Sequence, residues 1–240
     1  MKRLVSQFTK QLLEALEIGK SAKLKTNKNE ISSMVITGLG GSGIGGTIAI
    51  QLVAAQLKIP VIINNDYTLP EFVNENTLVI VSSFSGNTEE TLEALKKAQL
   101  AKAEIACITS GGKLAEIAKT KNYNLIILPK AFSPRAMLTY SVVQQLFLFN
   151  HYGLINDSFI NEIVSTVSLL DKEIDNIKDL AHQTSLLLHT KTFVLYSESS
   201  IEGVLTRLRQ QINENSKCLG WHHVVPEMNH NEIVGWAGGK

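Results

Sequence analysis

Residues 34–52 read MVITGLGGSGIGGTIAIQL, an apolar run, a glycine-rich stretch and a second apolar run in succession. Met34–Thr37 has the composition of a strand buried on both faces, and residues 47–57 (TIAIQLVAAQL) the composition of a helix. Between them, Gly38–Gly46 (GLGGSGIGG) satisfies the G-x-G-x-x-G pattern twice, once from Gly38 and once from Gly41. A glycine-rich turn from strand to helix lets backbone N–H groups approach an anion at the helix N-terminus. Dinucleotides and sugar phosphates both use that geometry. A dinucleotide also asks for an acidic residue at the end of the second strand, about 20 residues on. Asp66, after VIINN, stands near that place, so this stretch alone leaves both ligands open.

Outward from the turn, short apolar runs alternate with helical spacing. VIIN (61–64), LVIVSS (78–83), EIACIT (104–109) and LIILP (125–129) read as strands. TEETLEALKKAQL (88–100), KLAEIAK (113–119) and residues 133–149 read as helices, the last with Ser133 as cap and Pro134 at its first position. Residues 4–18 carry a further helical stripe. Strands without alternation, separated by helices, predict an α/β domain with a doubly wound parallel sheet over residues 1–152. Residues 153–240 predict linker helices, a strand at 192–198 and a helix at 201–217, then no further strand. This reads as a second α/β unit that is incomplete or borrows from a partner chain. Its strand–serine–helix layout echoes that of residues 34–57.

The composition excludes several classes. The formal net charge of +1 offers no basic surface for nucleic acid, and no apolar run is long enough to span a membrane. The two cysteines, Cys107 and Cys218, are far apart, which fits a reducing cytoplasm better than a disulfide framework. The expected setting is therefore cytoplasmic, with no nucleic acid and no membrane as partner.

The third strand separates the two ligand readings. It runs into Ser82-Ser83-Phe84-Ser85-Gly86-Asn87-Thr88-Glu89-Glu90-Thr91 and then a helix. Ser83, Ser85 and Thr88 place three hydroxyls around a tight turn at a second helix N-terminus, a cradle for a dianionic monophosphate. The alternative is an ordinary capped helix, with Asn87 or Thr88 as cap. Paired with the glycine turn, the hydroxyl cluster favours a sugar phosphate.

GLGGSGIGG, SSFSGNTEET, SPRA and PEMNHNEIVGW, in that order, resemble the SIS (sugar isomerase) domain family, and within it the bifunctional phosphoglucose/phosphomannose isomerases. The resemblance covers nearly the whole chain. It implies two SIS domains of flavodoxin-like layering, the second apparently incomplete, in a cofactor-free homodimer with shared active sites. It places substrate binding on Gly41, Ser42, Ser83, Ser85 and Thr88. Such an enzyme interconverts glucose 6-phosphate and/or mannose 6-phosphate with fructose 6-phosphate through an enediol. The chemistry needs a base between C1 and C2, a ring-opening group and a positive charge near the enediolate oxygen. Arg135, where strand five meets the next helix, suits the last role, since the helix dipole disfavours arginine there without another purpose. The resemblance assigns the base to Glu214 and ring opening to His230, the latter reaching its site across a dimer interface. Glu227 and Glu232 are read as supporting or interface residues, and Trp221 and Trp236 as packing for the segment that carries His230. Thr139 and Ser141 either shape the sugar site or pack helices.

His222, His223, His230 and Cys218 match no standard zinc spacing, and no metal is expected. His151, His182 and His189 read as structural or solvent-facing. The resemblance also implies an assisting lysine near the C-terminus, which Lys240 follows the GW too closely to supply. Three other readings stay open: a non-catalytic sugar-phosphate-binding module, a truncated inactive isomerase and a nicotinamide-dependent enzyme.

Overall fold

A computed structural model describes residues 2–26, 29–130 and 133–238, so Lys240 lies outside the described residues. The chain divides into two compact units, Met1–Leu169 and Leu170–Lys240.

The first unit opens with α1 (Lys2–Val5) and α2 (Phe8–Ser21), then alternates β1 (Ser33–Thr37), α3 (Gly41–Leu52), β2 (Val61–Asn64), β3 (Thr77–Ser82), α4 (Glu89–Leu100), β4 (Glu104–Thr109), α5 (Gly112–Lys121) and β5 (Asn124–Ile127). Next come α6 (Leu138–His151) and α7 (Ser158–Lys172), the latter ending past the unit boundary. All strand pairs are parallel, in the order β2-β1-β3-β4-β5. The doubly wound sheet read from the apolar runs is therefore present. The chain reverses direction across the sheet between β1 and β3, where ligands of such sheets bind.

Alternation along the strands assigns the two faces. Val35, Val79, Val81, Ile105 and Cys107 pack against Leu95, Ala98, Leu114 and Ala118, so α4 and α5 cover one face. On the other face, a Cβ at Gly46 of α3 would meet Ile36, Ile63 and the Gln145 amide of α6, and one at Gly19 of α2 would overlap the Phe147 ring. The sheet thus sits between two helical layers, and every side chain of β3 is buried.

Two boundaries differ from the sequence reading. α3 starts at Gly41 rather than residue 47 and ends at Leu52, so most of the glycine-rich stretch is helix and only Gly38–Gly40 turns. Helix is retained there because close packing needs the missing side chains: a Cβ on Gly43 would lie 2.5 Å from the Gly38 carbonyl, and one on Gly45 2.3 Å from Ser141 Oγ. The helix expected over 133–149 is likewise broken. Pro134–Ala136 forms one 3₁₀ turn without a side-chain cap from Ser133, Met137 leaves helical geometry (φ −116°), and α6 begins at Leu138.

The second unit contains α8 (Ile174–Leu188), β6 (Phe193–Glu198), α9 (Glu202–Ser216), β7 (Gly220–Val225) and α10 (Glu232–Gly238). β7, GWHHVV, was not expected as a strand, because its histidines and tryptophan hide the apolar signal. It pairs in parallel with β6 from Phe193↔Gly220 to Glu198↔Val225, completing a strand–helix–strand unit. Gly220 is required there, since a Cβ would lie 2.2 Å from the Phe193 ring.

Candidate active site

In the first unit the glycine turn, the hydroxyl turn and the SPRA turn all leave the C-terminal ends of parallel strands, β1, β3 and β5 respectively. They therefore share one edge of the sheet. Direct approaches draw them together: a Cβ on Gly38 would stand 2.7 Å from the Ser82 carbonyl, and the Pro134 carbonyl is 4.0 Å from the Cβ position of Gly41. Gly40, at φ +54° and ψ −125°, adopts a backbone conformation that side chains oppose. No side chain caps α3, and its first turn carries no acidic residue. Its N-terminal dipole and N–H groups thus face an edge built from small residues. Ser42 lies in that first turn, 8% exposed, with its N–H donated to the Leu39 carbonyl.

The hydroxyl turn is organised internally. Ser83, 2% exposed, accepts the Gly86 N–H at 3.1 Å and shares a 2.8 Å hydrogen bond with the Thr88 hydroxyl. Ser85 is exposed and accepts the Asn87 N–H at 3.2 Å. Thr88 occupies the N-cap position of α4 but makes no side-chain cap bond, because its hydroxyl is turned to Ser83. The ordinary capped-helix reading does not hold, and α4 begins without a side-chain cap. Ser83 braces the turn, whereas Ser85 and the Thr88 position stand at its lip.

Several supporting residues were missed from the sequence. The next connection, Thr109–Lys113 (TSGGK), buttresses the hydroxyl turn. The Ser110 N–H and hydroxyl donate to the Phe84 carbonyl at 3.0 and 2.7 Å, and the Lys113 N–H to Asn87 Oδ1 at 3.0 Å. Gly86, at φ +71°, has no room for a Cβ, which would fall 1.8 Å from the Gly111 carbonyl. Paired glycines directly after a strand were the available signal. Tyr67 was also missed. It is exposed, and desolvation, then the charges of Glu90, Glu89 and Asp66, raise its phenol pKa above the ordinary value. Asp66 accepts the Tyr67 N–H at 2.6 Å, shaping its own turn.

Arg135 is half-buried in the Pro134–Ala136 turn and is engaged there. Thr139 donates to Gln11 at 3.1 Å within the core, and Ser141 packs behind Gly45, so both serve helix packing.

The second unit carries the other candidates. Glu214 lies in the last turn of α9, and His230 in the exposed Glu227–His230 turn that follows β7. α9 starts at the C-terminal end of β6 and runs back along the sheet. From Glu202 to Glu214 the helix advances about 18 Å at 1.5 Å per residue, toward the start of β7. His230 follows the opposite end of that strand. One chain therefore holds Glu214 and His230 at opposite ends of this unit and does not bring them together.

Alternation along β7 turns its two histidines to different faces. His222 Nε2 lies 3.0 Å from Thr206 Oγ1 and 3.5 Å from Glu202 on α9, whereas His223 pairs with Glu232 of α10. Among the described residues no three His, Cys, Asp or Glu side chains are grouped as metal ligands, and no helix is long and apolar enough to cross a membrane.

Residues 24–154 match the SIS domain model, and residues 177–240 match the bacterial phospho-glucose isomerase C-terminal SIS domain. A bifunctional phosphoglucose/phosphomannose isomerase of Caldicellulosiruptor bescii is 43% identical over 98% of this chain and 72% of its own length. The chain belongs to this family of SIS-domain isomerases. Another member, from Aquifex aeolicus, is 35% identical over 85% of this chain and 62% of its own length. The fold extends to the C-terminal domain of the glucosamine-fructose-6-phosphate aminotransferase of Francisella tularensis. That structure is 13% identical, with a TM-score of 0.76 over 98% of this chain and 72% of the other. Family membership identifies the chain as a sugar-phosphate isomerase.

Proposed function

We propose that the protein interconverts glucose 6-phosphate and/or mannose 6-phosphate with fructose 6-phosphate through an enediol. The observation that carries this reading is the meeting of two side-chain-uncapped helix N-termini, α3 and α4, at the β1/β3 reversal of the first unit. Backbone N–H groups there, with Gly41, Ser42, Ser85 and Thr88 around them and Ser83 bracing the turn, suit a phosphate dianion. Residues 1–152 thus supply the phosphate site, and residues 153–240 supply the proton-transfer groups.

Ring opening falls to His230, because an imidazole can both accept and donate a proton at the ring oxygen. Glu214 then moves the proton between C1 and C2, and the Arg135 guanidinium balances charge on the developing enediolate oxygen. The opposite placement of Glu214 and His230 supports a site shared between two copies, with the base from one protomer and the histidine from its partner. A site built from one copy alone would lack one of the two groups. A chain that only sensed sugar phosphates would need neither residue.

The test is a coupled assay of the purified chain, following glucose 6-phosphate and mannose 6-phosphate separately to fructose 6-phosphate with chelator present. Turnover of both substrates is expected. Binding of the sugar phosphates by a folded dimer without turnover of either would overturn the proposal in favour of a binding module.

A further inference from the structure

We infer that Glu232 is the positioning residue for His230, fixing the turn that carries the histidine through a clamp of Tyr196, His223 and Trp236. This rests on the reading of His230 as the ring-opening group. It begins with the register of the second sheet. Tyr196 on β6 and His223 on β7 are direct neighbours across the parallel pair, so their side chains share one face, with ring centroids 6.3 Å apart and edge to face. The adjacent residue, His222, is turned to α9 on the other face.

The Tyr196–His223 face receives α10. Glu232, in its first turn, accepts the Tyr196 hydroxyl at 2.8 Å with Oε2 and pairs with His223 Nδ1 through Oε1. Trp236, one turn later and on the same side of the helix, donates its indole N–H to the Tyr196 oxygen at 2.8 Å. Both oxygens of one carboxylate are thus held by neighbouring strands, and a second side chain of α10 rests on the same phenol. Glu232 is only 28% exposed, which gives its charge-assisted bonds more weight than an open surface pair has.

The consequence concerns the segment in between. Pro226–Asn231 joins the end of β7 to α10 and contains His230. One end of this turn is held by the ladder to Glu198↔Val225, and the other by Glu232 itself. Asn231 adds local bonds, accepting the Glu232 N–H at 2.6 Å and donating to Glu227 Oε1 at 3.4 Å. His230 is exposed, so its direction follows from the two fixed ends of a short turn. A histidine that serves a partner subunit has to be presented from its own chain without support from the core, and this clamp supplies that support.

The test uses the full chain with Glu232→Ala, Glu232→Gln, Tyr196→Phe and His230→Ala. Amide hydrogen exchange over residues 226–236 is measured alongside kcat and KM for fructose 6-phosphate. Glu232→Ala is expected to speed exchange in this segment, and to lower kcat, each about tenfold with KM nearly unchanged. Glu232→Gln, which keeps the shape and one acceptor, should recover most of both, and Tyr196→Phe should fall between. His230→Ala should lose turnover without faster exchange.

Unchanged exchange in both Glu232→Ala and Tyr196→Phe would show that no clamp exists. Failure of Glu232→Gln to recover turnover, with exchange restored, would give the carboxylate a direct chemical part and also overturn the inference. If His230→Ala turns over like the parent chain, the histidine's assignment is what fails, and the clamp loses its purpose with it. The exchange measurement separates these failures, because it reads the turn whether or not His230 is catalytic.

Discussion

β1–α3 in the first unit and β6–α9 in the second are the same strand–turn–helix element, used in opposite ways. At β1–α3 the turn is emptied of side chains. Gly40 takes a left-handed conformation, α3 starts without an acidic residue, and the backbone itself faces the ligand edge. At β6–α9 the turn is filled by its own groups. Ser200 donates to Glu198 at 3.3 Å, and Glu202 occupies the first turn of α9, where a carboxylate already satisfies the helix dipole. The side chains proposed for proton transfer lie elsewhere: Glu214 at the far end of the helix and His230 beyond the next strand. The difference teaches that one supersecondary unit can leave its backbone N–H groups open or satisfy them with its own side chains, depending on what fills the first turn.

The largest expected effect tests this division directly. Glu214→Gln should lower kcat by roughly 10²–10⁴, the range for loss of a general base, while sugar-phosphate affinity changes little. Loss of affinity instead would break the comparison, because binding would then depend on the second unit. Mixing Glu214→Gln with His230→Ala sharpens it further. Two individually inactive proteins should regain up to roughly one quarter of parental turnover, since half of the dimers are mixed and each has one intact site. No recovery after subunit exchange would place both groups in sites formed by single chains.

In the first unit the expected loss is of binding. Gly86→Ala places a Cβ 1.8 Å from the Gly111 carbonyl at a positive φ, so the hydroxyl turn must move. Calorimetric titration with fructose 6-phosphate should show at least a tenfold weaker affinity, with stability lowered by roughly 1–3 kcal/mol. Thr88→Val, which removes a hydroxyl and keeps the shape, should cost less, about 0.5–1.5 kcal/mol of binding free energy.

The smallest effect concerns reactivity. Burial pushes the Cys107 thiol up to about 12, whereas Cys218 is half-buried after α9. In native protein near pH 8, iodoacetamide should label Cys218 first and Cys107 only as the sheet opens, by mass spectrometry of the two peptides. The raised thiol pKa has a sign for stability too. From about 9 to about 12 the unfolded thiol ionises while the folded one stays protonated, so this contribution falls as pH rises through that window.

Much of the fold was legible in the sequence, for a physical reason. Strands such as TLVIVS are buried on both faces and must be apolar throughout, and their separation by helical spacing leaves little choice but a parallel sheet. The GLGGSGIGG and SSFSGNTEET stretches also carried their own signal, because glycines and clustered hydroxyls are needed locally whatever surrounds them. Features set by distant partners were illegible. The sequence predicts a glycine turn through Gly46, whereas packing against Ile36, Ile63 and α6 makes it helix from Gly41. β7 was hidden because His222 and His223 answer to α9 and α10, elements that no local pattern joins to it. TSGGK and the Glu232 clamp likewise act through contacts with other connections.

By itself, then, the sequence determined the layered α/β class, the glycine-rich and hydroxyl-rich turns and the family, since each follows from residue types needed at adjacent positions. Only the tertiary structure decided that Ser83 braces its turn while Ser85 stands exposed, that Glu214 and His230 sit at opposite ends of one small sheet, and that Glu232 holds the turn between β7 and α10. Those facts depend on register and helix direction, which bring together, or keep apart, residues that the linear order does not relate.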